Sequence, residues 1–164
     1  MILLFTINKF TLLPSLENTA KIKIIGTNRK ANFLYEIFTR YEAGLSLLGT
    51  EVKSLRDSKI NLTEAYAKFL GSELWLINCH ISEYKFGNIN NHDPLRNRKL
   101  LLNKRELRKI KSALEEKGLT MVPIKVYFKG SKIKIEIATA RGKKLYDKRE
   151  SLKKRDTERK LKNI

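Results

Sequence analysis

The sequence predicts a mainly β fold with helices packed on it, an α+β chain, and three observations carry that expectation. Apolar and polar residues alternate in several short runs between residues 35 and 137, the period of half-buried strands. One longer segment, 103–118, has the spacing and end signals of a helix instead. Glycine-first pairs, Gly71-Ser72 and Gly130-Ser131, separate runs short enough to be hairpins.

Residues 1–20 carry only Lys9 and Glu17 as charges. Met1 to Ile7 is apolar, but Asn8 and Lys9 interrupt it long before the ~20 residues a bilayer span needs. No basic stretch precedes it, as a signal peptide would require. A poorly ordered N-terminal extension is expected over 1–20, a folded domain over 21–142, and a basic tail over 143–164. The domain opens on an expected loop, Gly26-Thr27-Asn28-Arg29-Lys30. A long strand follows, with Tyr35, Ile37, Tyr41, Ala43, Leu45 and Leu47 on one face and Glu36, Arg40, Glu42, Gly44 and Ser46 on the other, bent at Gly44. Gly49-Thr50 caps a short helix, Glu51 to Arg56, that turns Val52 and Leu55 inward.

Two strands come next, Ala65–Leu70 and Glu73–Ile81, the second apolar on both faces around Trp75 and therefore central. Residues 88–98, with Pro94, read as a loop. Asn103 and Glu106 form a capping box, Leu102 staples onto Leu107, and Leu107, Ile110 and Leu114 make the buried stripe of a helix ended by Gly118. Its other face carries Lys104, Arg105, Arg108, Lys109 and Lys111. Val122, Ile124, Val126 and Phe128 then alternate up to Gly130-Ser131, and Ile133, Ile135 and Ile137 alternate back. Four or five short strands, one packed helix and a basic exterior fit a small closed Greek-key barrel of the oligonucleotide-binding (OB) type with flanking helices.

Charge narrows the function. In 164 residues, 35 Lys and Arg stand against 17 Asp and Glu, a net charge of +18. Such self-repulsion serves a densely anionic partner, nucleic acid before membrane. The single Cys79 excludes an internal disulfide framework and points to a reducing, cytoplasmic setting. Cys79 and His80 are consecutive, so on a strand they face opposite ways and cannot hold one metal together. No Walker loop or G-x-G-x-x-G is present, and the acids Asp57, Asp93 and Glu42 have no two-metal spacing, so neither an enzyme nor a cofactor is expected. The basic residues group. Arg96, Arg98 and Lys99 precede the long helix, Lys132 and Lys134 line the polar face of the last strand, and Arg141, Lys143 and Lys144 extend it. Each group can contact phosphates, giving affinity without sequence readout. Tyr35, Tyr41, Phe69 and Trp75 occupy core-like positions, whereas Tyr146 stands in the tail with no core around it and can stack on a base. In that tail Asp147 and Glu150 make a capping box ahead of good helix formers with little to bury, a helix that forms against a polyanion rather than alone.

Ordered motifs over about residues 22–160 resemble the SsrA-binding protein (SmpB) family. They are Asn28-Arg29-Lys30-Ala31, Tyr41-Glu42-Ala43-Gly44-Leu45, Gly49-Thr50-Glu51-Val52-Lys53-Ser54-Leu55-Arg56, Arg98-Lys99-Leu100-Leu101-Leu102-Asn103, Ala140-Arg141-Gly142-Lys143-Lys144 and Asp147-Lys148-Arg149. The chain departs from the family pattern at Asn32 and Phe33, where a basic or aromatic residue and then His are usual. The resemblance implies a non-catalytic RNA-binding adaptor of trans-translation. It would bind the tRNA-like domain of transfer-messenger RNA (tmRNA) and carry it to stalled ribosomes, meeting the small subunit and its rRNA. It also implies RNA contacts at Asn28, Arg29, Lys30, Glu42, Leu101 and Lys134, with Arg141, Lys143 and Lys144 adding charge. In the tail, Gly142 would give a flexible exit, Tyr146 would stack, and Asp147, Lys148 and Arg149 would act near the decoding centre. No membrane partner is expected, and the free protein is expected to be monomeric. Composition alone would also permit a general single-stranded nucleic-acid binder or a structural ribosomal protein.

Overall fold

The computed structural model describes residues 22–144; the expected N-terminal extension and the tail positions Tyr146, Asp147, Lys148 and Arg149 lie outside the described residues. The elements run β1 (Ile22–Thr27), α1 (Ala31–Leu34), β2 (Tyr35–Leu45), α2 (Gly49–Arg56), β3 (Ile60–Asn61), β4 (Tyr66–Leu70), β5 (Glu73–Ile77), β6 (His80–Ile81), β7 (Arg98–Leu101), α3 (Lys104–Lys117), β8 (Thr120–Lys129) and β9 (Lys132–Gly142). A single 3₁₀ turn, Asn88–Asn90, interrupts the segment between β6 and β7.

The main sheet has the order β1-β8-β4-β5-β7-β2-β9, and β9 also pairs with β8. The pairings from β8 through β4, β5, β7, β2 and β9 thus return to β8, with β1 added outside on β8. All of them are antiparallel, as short connections between successive strands favour. The strands enclose Ala43, Leu74, Leu76, Leu100, Met121, Val126, Ile135 and Ile137, while Leu55 of α2 and Ile110 of α3 close onto this core. A smaller cluster, Ala31, Val122, Ile124, Ala138 and Ala140, seats the single turn of α1. No helix among the described residues is long and apolar enough to cross a membrane.

The strongest local signals behave as read. Asn103 and Glu106 form the capping box of α3, and Gly118 ends it in the left-handed region at φ 57°, where a side chain would be strained. β8 and β9 form the hairpin, with Lys129 opposite Lys132 and Gly130 at φ 61°.

Other expectations are corrected. Gly26 and Thr27 belong to β1, not to a loop; a Cβ on Gly26 would stand 2.6 Å from the Ile60 side chain, so the strand needs glycine there. The N-cap of α2 is Leu48 rather than Gly49-Thr50, and its N–H is taken by Glu51 at 2.7 Å. The strand read as Glu73–Ile81 stops at Ile77, because Asn78 turns the chain at φ 55° and sends His80–Ile81 to pair with β3 instead. Arg98 lies not in a loop but at the start of β7, Arg98–Leu101, between β5 and β2. The register of β2 on β9 slips between Ile37 and Arg40, and the extra residue puts Tyr35 and Ile37 on the face of Arg40 and Glu42, packed on the smaller cluster, rather than on the face of Tyr41, Ala43, Leu45 and Leu47.

Candidate nucleic-acid interface

Strand register assembles the site. In β2, Gly44 lies opposite Leu101 of β7 on one side and opposite Lys134 of β9 on the other. Directly opposed residues of antiparallel strands share a face. Leu101 and Lys134 therefore flank a position with no side chain, and a Cβ there would meet the Leu101 Cβ at 3.3 Å. Glu42, two residues back on the same strand, joins that face. Leu101 is 51% exposed, an apolar group held out to solvent rather than in the core. Glu42, Leu101, Leu102, Asn103, Glu106 and Lys134 line a shallow depression of about 440 Å³.

Glu42 is held by the sheet. Tyr127 Oη donates to its Oε2 at 2.5 Å, Lys129 Nζ donates to both carboxylate oxygens at 3.1 and 3.2 Å, and Lys134 Nζ stands 4.0 Å away. The Tyr127 hydrogen bond chiefly, with Lys129 and Lys134 behind it, outweighs partial burial and holds the carboxyl below its ordinary value. Burial and the Glu42 carboxylate push the Tyr127 hydroxyl well above its ordinary value, so it remains a donor. The register also sets Glu42 directly opposite Glu136, and Lys129 opposite Lys132, pairs that would repel if left alone. Each acid relieves this by taking cations, and Glu136 binds Arg40 at 2.8 Å and Lys125 at 3.0 Å. Burial raises the Glu136 carboxyl, but Lys125 and Arg40 bring it below its ordinary value. The face thus carries Arg40, Lys125, Lys129, Lys132 and Lys134 against two ionised acids. It is a positive surface studded with fixed acceptors, able to take phosphates and to accept from a base or a 2′-OH.

Asn28 is placed differently from its neighbours. Only 5% exposed, it donates from Nδ2 to the carbonyls of Leu62 at 3.1 Å and Pro123 at 3.2 Å, and its N–H reaches Ile124 O at 2.7 Å. The receiving strand has a register shift between Pro123 and Lys125, a break suited to a residue that lacks an N–H. Asn28 anchors the turn, and Arg29 and Lys30 are the exposed groups it presents. At the far end of the β2–β9 ladder, Arg141 is exposed opposite Glu36, and Gly142 closes β9 opposite Tyr35. Lys143 donates from its backbone to Leu34 O at 2.9 Å and from Nζ to Asn32 O at 2.9 Å, and Lys144 is exposed. The structure thus brings Glu42, Leu101 and Lys134 together, and it sets Lys143 against α1, the turn that Asn28, Arg29 and Lys30 lead into.

The group Arg96, Arg98 and Lys99 does not form a phosphate surface. Glu51 and Arg98 have fully buried side chains and pair at 2.8 Å; Arg96 binds the same carboxylate at 2.5 Å. Arg98 also donates to the carbonyls of Cys79, Arg96 and Pro94. Lys99 is paired with Glu73. Burial raises the Glu51 carboxyl, but Arg96, the Leu48 N–H and Arg98 more than reverse it. His92 is likewise a packing residue, with Nδ1 2.9 Å from Thr50 Oγ1 and Nε2 3.1 Å from Ile81 O. Sequence reasoning missed Tyr127, Lys125 and Lys129 as members of the site. The signal available was their period-two spacing in β8, out of phase with the apolar Val126 and Phe128. Among the described residues, no three His, Cys, Asp or Glu side chains gather as a metal site would require.

Comparison with known proteins extends this geometry. The family model described as SmpB protein matches residues 25–164. The SsrA-binding protein of Gloeothece citriformis is 54% identical over 144 residues, covering 87% of this chain and 93% of that protein. That of Agrobacterium fabrum is 55% identical over 138 residues, covering 84% and 86%. A solved chain described as "tmRNA-SmpB: a journey to the center of the bacterial ribosome" superposes with a TM-score of 0.64 at 47% identity, over 77% of this chain and 93% of that one. With more than half of the aligned residues identical to such proteins across most of both lengths, the chain belongs to the SsrA-binding protein (SmpB) family.

Proposed function

We propose that this protein binds the tRNA-like domain of tmRNA through the Glu42–Leu101–Lys134 face and brings it to stalled ribosomes in trans-translation. The observation that carries the reading is the register that sets Leu101 and Lys134 on either side of Gly44, beside an acid locked by Tyr127 and Lys129. A general polyanion binder has no use for a fixed carboxylate and an exposed leucine amid lysines, because phosphate contact alone needs only charge. A folded RNA offers bases and ribose hydroxyls that such groups can address. The names of the relatives support the same partner. The strand circuit is read as the small OB-like barrel, Asn28 as the anchor of the loop that offers Arg29 and Lys30, and Arg141, Lys143 and Lys144 as added phosphate contacts.

In this reading residues 143–164 form a separate unit that leaves the barrel at Gly142 and enters the vacant mRNA path of the small subunit as a helix. Tyr146, Asp147, Lys148 and Arg149 then act near the decoding centre. The protein works as a cytoplasmic adaptor, monomeric when free, with no chemistry of its own. Competition binding at moderate salt tests the core of this: a tRNA-like RNA must outcompete an unstructured RNA of equal length. If ~6 phosphates are contacted, affinity falls ~10³-fold between low and moderate salt. Equal binding of both RNAs returns the protein to the class of general single-strand binders. Truncation after Lys144 must leave tmRNA binding nearly intact and abolish tagging on stalled ribosomes; a truncated protein that still tags refutes the tail assignment.

A further inference from the structure

The register that sets Leu101 and Lys134 on either side of Gly44 continues beyond β9. Lys134 lies opposite Tyr127 of β8, and Tyr127 lies opposite Ile24 of β1. Leu101, Gly44, Lys134, Tyr127 and Ile24 therefore form one row of positions across five strands, on the face that carries Glu42. The adjoining row on that face runs Lys132, Lys129 and Ile22. Ile22 and Ile24 are 59% and 58% exposed, whereas Ile25, the next residue, is in the core. β1 thus has an inner side for an apolar residue and still holds two isoleucines out to solvent. Among the described residues it pairs only with β8. Neither strand carries an acid, and the outward cations of β8 are Lys125 and Lys129.

We propose that Ile22 and Ile24 are an apolar contact for a base or ribose of the bound RNA, at the opposite end of the row from Leu101. Four inter-strand steps separate the two ends, roughly 19 Å measured along the sheet. Lys129, Lys132 and Lys134 stand on the strands between them. Phosphates drawn to those lysines bring the attached riboses and bases onto the apolar ends. The occupant is nucleic acid because the pair continues the face of Glu42, Leu101 and Lys134, with Lys129 directly opposite Ile22. The inference rests on the RNA-binding reading and extends its footprint to β1. A second copy of the chain, or the chain's own residues 1–21, are the other occupants that such a pair could take, and the test separates them.

The test uses the full chain and a fluorescently labelled tRNA-like RNA, comparing wild type with Ile24→Thr, the double variant Ile22→Thr with Ile24→Thr, and Ile24→Val. Threonine keeps the β-branched shape that suits a strand and loses the apolar contact. Ile24→Thr should bind roughly 5-fold more weakly and the double variant roughly 10- to 30-fold, while Ile24→Val stays within about twofold of wild type. Both threonine variants should keep the wild-type slope of log affinity against log salt, since no phosphate contact is lost. Their melts should match wild type, because both side chains are outside the core. Unchanged affinity of the double variant, or a shallower salt slope, overturns the contact while leaving the functional reading in place. A Tm drop of more than about 4 °C assigns the pair to packing within the chain and overturns it too. So does a wild-type dimer, seen by sedimentation without RNA, that the double variant abolishes. Failure of the wild type to bind the tRNA-like RNA overturns the functional reading and this inference with it.

Discussion

Replacing Glu51 with alanine removes the acceptor of four donors at once: the Leu48 N–H, Nε and Nη2 of Arg96, and Nε of Arg98. Arg96 can turn to solvent. Arg98 cannot, because its side chain is fully buried, and the carbonyls of Cys79, Arg96 and Pro94 satisfy its hydrogens without neutralising its charge. Breaking a buried ion pair by deleting one partner costs about 3–5 kcal/mol. That is a large share of the roughly 5–15 kcal/mol that stabilises a domain. At about 4 °C per kcal/mol for this size, Tm should fall by about 12–20 °C. Thermal and urea unfolding followed by circular dichroism measure it. A double change, Glu51→Leu with Arg98→Met, should cost less than Glu51→Ala alone, since no charge is left stranded. A Tm drop under about 4 °C for Glu51→Ala, or a double variant worse than the single, would refute the reasoning. The pair also has an acid signature. Its folded carboxyl titrates below the ordinary 4.5, so its contribution is complete above that value and is lost as pH falls through the folded pKa. Glu51→Gln should flatten that part of the acid unfolding curve.

Three further outcomes follow from the site and its support. Glu42→Ala should weaken tRNA-like RNA binding by about 1.5–3 kcal/mol while leaving the fold intact, as paired RNA titrations and melts would reveal; unchanged affinity contradicts it. Leu101→Ala should weaken binding roughly 5-fold by losing apolar contact, with little change in Tm because the side chain is half exposed already. Cys79 is fully buried and its thiol is pushed up to about 11, mainly by burial, so iodoacetamide at pH 8 should label it only after unfolding; rapid native labelling would sink that statement.

Local rules decided what lies within a few residues. The capping box of Asn103 and Glu106, the stripe through Ile110 and the stop at Gly118 need only the chain on either side, so α3 is legible from the residues themselves. The β8–β9 hairpin is legible for the same reason, its alternation and its Gly130 turn lying within one continuous stretch. Net charge named the class of partner. What the sequence left open is set by contacts distant along the chain. Nothing near Arg98 distinguishes a phosphate contact from a buried ion; its partner Glu51 is 47 residues away and arrives only when α2 packs beside β7. Glu42 reads as an outward acid, but the Tyr127 and Lys129 that hold it come from a strand more than 80 residues on. Tyr35 and Ile37 read as facing with Tyr41 and Ala43, but a single extra residue in β2 changes which face a side chain takes, and period-two reasoning has no means of locating a bulge. Periodicity decides which residues face inward within an element. Register and bulges, fixed only when strands pair, decide which outward residues meet, and in this protein that meeting is the site.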